Sequence, residues 1–257
     1  IIMKKRMHYL IVMALGIALN WALLSSSIAQ TEPLGPLMSV TEFTIKPGHE
    51  MQFREGIKAW KACYLENKGE WTWRMWQRQQ GEGSVFVLAS DMANWAEMDK
   101  TDESGKKCQD LARTLINPHI EKATSHVTRF QLGISKGSPL TEDIIRVSFY
   151  DLNPLNGHRL MEVVKEVEGI RKSAGLEPGG YWYQWQTGGP ESPSFHHVTP
   201  YKDYAAMDII QEGVWQTVEK KAGKAKRDEL QAAFRSSLQN TWNYIYTLDK
   251  DISNPAK

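Results

Sequence analysis

The sequence contains little cysteine, no excess charge of either sign and, after its N-terminal segment, no long apolar run. Its two cysteines among 257 residues are too few for a disulfide-dense scaffold or a multi-cysteine zinc site. Its 31 basic and 30 acidic residues are interspersed, so we expect no nucleic-acid partner and no attraction to an anionic membrane. Residues 31–257 contain no apolar stretch of the roughly 20 residues that a membrane-spanning helix needs.

Several short motifs of cofactor and metal chemistry are also missing. The chain has no phosphate-binding loop and no dinucleotide-binding fingerprint, and the metal-ligand spacings H-E-x-x-H, H-x-H and C-x-x-C do not occur. The sequence therefore predicts no metal site and no cofactor.

The N-terminal segment has the three parts of a secretory signal peptide. Residues 4–6 are basic, residues 10–24 are apolar apart from one asparagine, and Ser27-Ile28-Ala29 provides the small residues that a signal peptidase reads. We expect residues 1–29 to be a cleaved signal peptide and the mature protein to be periplasmic or secreted, without a membrane partner. The alternative is an uncleaved membrane anchor, for which the apolar run is short.

The remaining chain contains two similar copies of one sequence unit. Residues 40–47 (VTEFTIKP) align with residues 147–154 (VSFYDLNP), and residues 73–77 (WRMWQ) align with residues 182–186 (WYQWQ). The offset is 107 residues at the first pair and 109 at the second, which indicates a two-residue insertion between them. Two later anchors keep the offset of 109: Phe86 with Phe195, and residues 96–99 with residues 205–208. This conserved register predicts a tandem duplication.

Each copy has the element order β-α-β-β-α-β. The first helix, for example, carries Phe53, Ile57, Trp60 and Tyr64 on one apolar face. The predicted strands are residues 38–45, 71–79, 84–89 and 125–131, then 145–152, 180–186, 194–199 and 242–248, and interrupted helical stretches are expected over residues 91–117 and 201–239. We place the first repeat at residues 30–132, a linker rich in Gly, Ser and Pro at residues 133–143, and the second repeat at residues 144–257.

The element order is that of the ferredoxin-like fold, whose sheet has helices on one face only. Two such α+β units in one chain can bury their open faces against each other as a barrel. Over about residues 38–248 the sequence resembles the dimeric α+β barrel superfamily, which includes antibiotic-biosynthesis-type monooxygenases and NIPSNAP-like and EthD-like proteins. The resemblance rests on element order and duplication, so it implies a pseudo-dimeric α+β barrel more than an activity.

Cys63 and Cys108 fall on the first and second helices of the first repeat. Both helices cover the same face of the sheet, so the two Cβ atoms can come within the roughly 4 Å that a disulfide requires. In an oxidising compartment we expect the pair to be bridged, with two buried thiols as the alternative.

Strand alternation assigns the candidate ligand-binding residues to the barrel side of the sheet. That side carries Arg74, Trp76, Tyr183 and Trp185. It also carries one carboxylate from the first strand of each repeat, Glu42 in the first and Asp151 in the second. One interpretation is that the aromatic residues are core packing between two sheets. Another is a ligand pocket with aromatic walls and with Arg74 and Tyr183 as polar anchors, and a third is sugar stacking on exposed rings.

The remaining candidates carry acid–base chemistry. His196 and His197 are neighbours on a strand and must point to opposite faces. We favour His197 as the functional one, because it aligns with Leu88 and shares a face with Phe195 that can open to a cleft between sheet and helices. Glu42 and Asp151 would suit proton transfer if they were buried together, but a salt bridge to Arg74 or Arg129 is the preferred interpretation.

Our leading functional hypothesis is an exported protein that binds a small aromatic or apolar molecule. If it is an enzyme, the resemblance implies cofactor-independent monooxygenation or proton transfer, with His197, His196 and Asp151 as catalytic candidates. The rival hypotheses are a non-catalytic interaction module and a haem-handling protein, which would need a histidine as axial ligand. A homo-oligomer is compatible with each of them.

Overall fold

Eight antiparallel strands close into a barrel in the computed structural model, which describes residues 33–209 and 212–255. The predicted signal peptide lies outside the described residues. The strands are β1 (Leu37–Ile45), β2 (Arg74–Arg78), β3 (Ser84–Met92), β4 (Ile120–Phe130), β5 (Ile144–Leu152), β6 (Tyr181–Trp185), β7 (Phe195–Tyr201) and β8 (Leu238–Leu248). The α-helices are α1 (Glu50–Glu66), α2 (Glu103–Lys107), α3 (Gln109–Leu111), α4 (Arg159–Ser173), α5 (Val214–Ala222) and α6 (Lys224–Ser236). None of the helices in these ranges has the length and apolar character to cross a membrane.

The strand order repeats once around the barrel. It reads β4-β1-β3-β2 in the first half and β8-β5-β7-β6 in the second, so each half has the same order of its own four strands. The halves join where β2 pairs with β8 and where β6 pairs with β4. The predicted architecture of two ferredoxin-like repeats forming a pseudo-dimeric α+β barrel is confirmed.

The fourth strand of each repeat begins earlier than predicted, β4 at Ile120 and β8 at Leu238. The extra residues are mostly polar and exposed, so they lack the apolar alternation that identifies a strand in sequence. Their backbones nevertheless pair with β1 and β5. The stretch between β3 and β4 contains short 3₁₀, α and π segments from Trp95 to His119, which agrees with the predicted interruption.

The first repeat fills the space between its sheet and its helices. Phe53 and Ile57 of α1 pack against Met75 and Phe86 of the sheet and against Ile252 of the C-terminal segment. A disulfide joins Cys63 of α1 to Cys108, which lies directly before α3, with Cα atoms 6.0 Å apart. The predicted bridge is therefore present.

Candidate functional site

A cleft of about 820 Å³ separates the sheet of the second repeat from its helices. Valine side chains of α4 and the rings of Trp182, Trp215 and Phe234 provide its apolar walls. The polar residues that line it are Arg146, Ser148, Tyr150, Glu168, Arg171, His197, Thr199, Tyr201, Lys202 and Glu212. A volume of several hundred Å³, apolar walls and a few polar groups are typical of a small-molecule site.

The two copies differ on their first helices at positions that face this space. At the offset of 107 residues, Trp60 and Tyr64 of α1 correspond to Val167 and Arg171 of α4. The burial of the two helices supports this alignment, because buried Phe53, Gly56 and Ile57 correspond to buried Leu160, Val163 and Val164.

In the first repeat the two aromatic rings occupy the space that is open in the second. Trp60 stacks on Tyr64 with ring centroids 4.9 Å apart, and both rings contact Trp73 edge to face, at 5.6 Å and 6.0 Å. Trp182, which corresponds to Trp73, lines the cleft instead. In the second repeat, Val167 is smaller than Trp60 and Arg171 pairs with Glu168, so this volume is left unfilled.

His197 lies on the floor of the cleft, as predicted. Its ring centroid is 4.8 Å from that of Trp182, and its Nδ1 is 3.4 Å from Oγ1 of Thr199. Burial, reinforced by the positive charges of Arg146 and Arg171, lowers the pKa of His197 to about 4. The imidazole is therefore neutral at neutral pH and able to accept a proton.

Two arginines set the electrostatic potential of the cleft. Arg171 forms an ion pair of 3.2 Å with Glu168, one turn earlier on α4, and its Nη2 donates to the carbonyl of Glu177 at 2.9 Å. Burial raises the pKa of Glu168, and the adjacent Arg171 opposes this effect. Arg146 lies over the ring of Tyr201, 5.6 Å from its centroid, and no carboxylate within the described ranges forms an ion pair with it.

The predicted aromatic residues lie on the other side of the sheet, inside the barrel. Trp76, buried among residues of both repeats, belongs to a core cluster against which Tyr183 packs. Tyr183 stacks on His196 with centroids 4.9 Å apart, and Nε1 of Trp185 donates to Nδ1 of His196 at 3.0 Å. The sheet therefore separates these four residues from His197, and the candidate residues do not form one site.

His126 completes this group and was not among the sequence candidates. Its ring stacks on Trp185 at a centroid distance of 3.6 Å. Burial lowers the pKa of His126 to about 4, and burial together with the neighbouring His126 and His197 lowers that of His196 to about 3. The available signal was the alternation of Thr124, His126, Thr128 and Phe130 on one face of β4.

The predicted carboxylates do not form a pair of neighbours. Glu42 lies on β1 opposite Val87, and Asp151 lies on β5, which does not adjoin β1. Within the described ranges neither forms an ion pair with Arg74 or Arg129, so the preferred salt bridge is absent. Arg129 instead donates to the carbonyl of Gly35 at 2.9 Å. No group of three or more His, Cys, Asp or Glu side chains in that part of the chain is placed to hold a metal ion.

Comparison with known proteins identifies the fold. No family model and no curated protein matches the sequence. A proposed monooxygenase from Lactobacillus acidophilus NCFM matches at a TM-score of 0.51 and 12% identity, over 84% of this chain and 95% of that one. An anthrone oxidase-like protein matches at a TM-score of 0.51 and 9% identity, over 84% of this chain and 94% of that one. A mutant chlorite dismutase from Candidatus Nitrospira defluvii matches at a TM-score of 0.50 and 8% identity, over 85% of this chain and 92% of that one.

These similarities confirm the resemblance to the dimeric α+β barrel superfamily at the level of the fold. The chain shares the α+β barrel fold of these proteins. At identities of 12% or less, they carry no information about which residues act.

Proposed function

We propose that the protein is an exported small-molecule-binding protein and that its ligand site is the cleft of the second repeat. The replacement of the Trp60 and Tyr64 pair by Val167 and Arg171 carries this proposal. The second repeat has an open volume that the first repeat lacks, and polar side chains of the second repeat face this volume. Pure packing between repeats would not require such a volume, because the first repeat fills the same space with side chains.

The chemistry that the cleft supports best is proton transfer from an aromatic substrate. Neutral His197 accepts the proton at Nδ1, because its Nε2 edge packs against Gly180. With a pKa of about 4 the imidazole is a weak base, so it suits an acidic O–H group of the substrate, which becomes an anion as the imidazole becomes a cation. The guanidinium groups of Arg146 and Arg171 stabilise that anion. Cofactor-independent monooxygenation would begin from such an anion, with dioxygen as the second substrate.

The barrel residues are better explained as packing. Trp76, Tyr183, Trp185 and His196 contact one another or other side chains of the barrel at van der Waals or hydrogen-bond distances. This observation favours the core interpretation for them, so we assign ligand binding to the cleft and not to the barrel. A role in catalysis for His196 or Asp151, and in binding for Arg74 or Glu42, stays a prediction.

The haem-handling hypothesis is not supported by His197. A Cβ atom built on Gly180 would lie 2.7 Å from Nε2 and 2.8 Å from Cε1 of His197, so this edge of the ring packs against the Gly180 backbone. An axial ligand needs its nitrogen lone pair directed into open volume. The packing against Gly180 therefore does not fit a haem held by Nε2 of His197.

Export is supported by two independent features. The N-terminal segment has the composition of a signal peptide, and the disulfide between Cys63 and Cys108 is of a kind that persists in oxidising compartments. The periplasm or the medium is the proposed location. Cell fractionation with a C-terminal epitope tag tests it, and retention of full-length protein in the cytoplasm would contradict it.

The proposed site is tested by refilling the cleft. The double variant Val167→Trp, Arg171→Tyr restores the pair found in the first repeat, and Thr199→Trp is a second, independent block. The probe is the neutral fluorophore N-phenylnaphthylamine, and Leu155→Trp, at an exposed position, is the control for an added indole. We expect both blocks to weaken probe binding roughly tenfold or more, about 1.4 kcal/mol, and the control to leave it unchanged. Equal binding by all folded variants would overturn the proposal.

A further inference from the structure

Resting on the proposed function, we propose that the ligand of the cleft is an aromatic acid whose anionic group, a carboxylate, enolate or phenolate, binds between Arg146 and Arg171. The proposal names the chemical class of the ligand. It follows from three observations on the charged residues of the cleft and from the chemistry of its walls.

The first observation is an excess of positive charge among the lining residues. Arg146, Arg171 and Lys202 line the cleft together with two carboxylates, Glu168 and Glu212. Both carboxylates already have partners, because Glu168 pairs with Arg171 at 3.2 Å and Glu212 pairs with Lys220 at 2.6 Å. Arg146 and Lys202 are exposed, and within the described ranges neither forms an ion pair, so both are available to an anion that enters the cleft.

The second observation is that the two arginines belong to different walls of the cleft. Arg146 lies on β5 and Arg171 on α4, and the positive charge of each adds to the effect of burial in lowering the pKa of His197. An anion beside His197 would therefore be attracted by Arg146, which has no carboxylate partner within the described ranges, and more weakly by Arg171, whose charge Glu168 offsets. Guanidinium groups match the planar shape of a carboxylate or enolate and bind it through two hydrogen bonds.

The third observation is that these charges occur only in the copy with the cleft. At the repeat offsets, Arg146, Arg171 and His197 correspond to Ser39, Tyr64 and Leu88 of the first repeat, none of which is charged. Leu88 and Tyr64 pack in the first repeat against the residues that fill its equivalent space. The repeat that has the open volume is therefore also the repeat that has the two arginines.

The walls specify the rest of the ligand. Trp182, Trp215 and Phe234 offer ring faces, and valines of α4 complete an apolar surface. Aromatic and aliphatic walls favour a flat apolar body, while the arginines require a charge at one end of it. An inorganic anion would leave most of this apolar surface without a partner.

Two fluorophores with one skeleton test the proposal. Anilinonaphthalene sulfonate carries an anionic group that N-phenylnaphthylamine lacks, and each is titrated against the folded full-length mature protein. We expect tighter binding of the sulfonate to the wild type. Arg146→Gln should reduce the affinity for the sulfonate roughly tenfold and leave the neutral probe unaffected, because only the anion contacts the guanidinium. Arg235→Gln, an exposed arginine on α6 away from the cleft, is the matched control for net charge.

Each outcome decides between the two proposals. If the neutral probe binds in the cleft and the sulfonate binds no better, the acid proposal fails and the binding site stands. If Arg235→Gln weakens the sulfonate as much as Arg146→Gln does, the preference is a general charge effect and the acid proposal also fails. If neither probe binds, both proposals are overturned. Circular dichroism of each variant establishes that it is folded before its affinities are compared.

Discussion

The indole Nε1 of Trp185 donates a hydrogen bond of 3.0 Å to Nδ1 of His196, and the indole ring stacks on His126 at a centroid distance of 3.6 Å. His126 belongs to the first repeat and the other two residues belong to the second. The group therefore connects the repeats at the β4–β6 seam, where Trp185 is paired with Thr128. It is a structural contact between the two halves of the barrel, on the face of the sheet opposite the cleft.

We expect truncation of Trp185 to destabilise the barrel without affecting ligand binding. Trp185→Ala removes the stacking and the hydrogen bond and should lower the free energy of unfolding by roughly 3 kcal/mol. Trp185→Phe keeps an aromatic ring but leaves Nδ1 of His196 without its donor, which should cost about 1–3 kcal/mol. Urea denaturation measures both losses. A large loss of probe binding in folded Trp185→Ala, with little loss of stability, would instead place the ligand in the barrel.

Stability should decrease as the pH falls from about 6.5 towards 4. His126, His196 and His197 have folded-state pKa values of about 4, about 3 and about 4, below the ordinary value of 6.5. Between these values the unfolded chain binds more protons than the folded one, so protonation favours unfolding. Above pH 6.5 all three are neutral in both states, and their contribution is fully present.

The melting temperature measured at several pH values checks this expectation. Replacing His196 by Gln should reduce the slope of stability against pH below about 6.5, because one depressed pKa is removed. The control is His158→Gln, since His158 is exposed at the start of α4. Equal slopes in the two variants would show that burial of His196 does not perturb its titration.

Loss of the disulfide should destabilise the first repeat most. The bridge closes a loop with a sequence separation of 45, for which the chain-entropy relation gives roughly 4 kcal/mol. We expect Cys63→Ser, Cys108→Ser to lower the free energy of unfolding by about that amount, and reductant to lower the midpoint of the wild type but not of the variant. Thiol titration of unfolded, unreduced protein should count no free thiol. Two thiols would contradict the bridge.

Binding of an anion should raise the pKa of His197. The positive charges of Arg146 and Arg171 contribute to its depressed value, and an anionic probe would offset them. Nitrogen-15 NMR of the imidazole rings, with and without anilinonaphthalene sulfonate, measures this shift. The resonances of His126, whose pKa is lowered by burial alone, are an internal reference and should titrate alike in both samples. An unchanged His197 pKa in the saturated complex would count against binding beside it.

The sequence predicted the faces of the strands well, because alternation is a local property. It placed Trp76, Tyr183 and Trp185 in the barrel and His197 toward the helices, as the structure does. The start of β4 was missed, because residues 121–124 are exposed and mostly polar and show no alternating burial. His126 lies within the predicted strand, and its alternation with Thr124, Thr128 and Phe130 was an available signal that went unused.

The location of the cleft depends on comparing the two helices and not only the strands. The sequence contains the difference between the Trp60 and Tyr64 pair and the Val167 and Arg171 pair, but its meaning depends on the packing of both rings against Trp73. Volume is a property of the packed structure. The candidate residues fall into a barrel group and a cleft group, and this division could not be predicted without knowing that side chains fill the barrel interior.

A crystal structure of the protein soaked with anilinonaphthalene sulfonate tests the central claim most directly. The account predicts ordered density for the naphthalene rings against Trp182 and Trp215, with the sulfonate within hydrogen-bond distance of Arg146 or Arg171. Density inside the barrel beside Trp185 and His196, with none in the cleft, would contradict it.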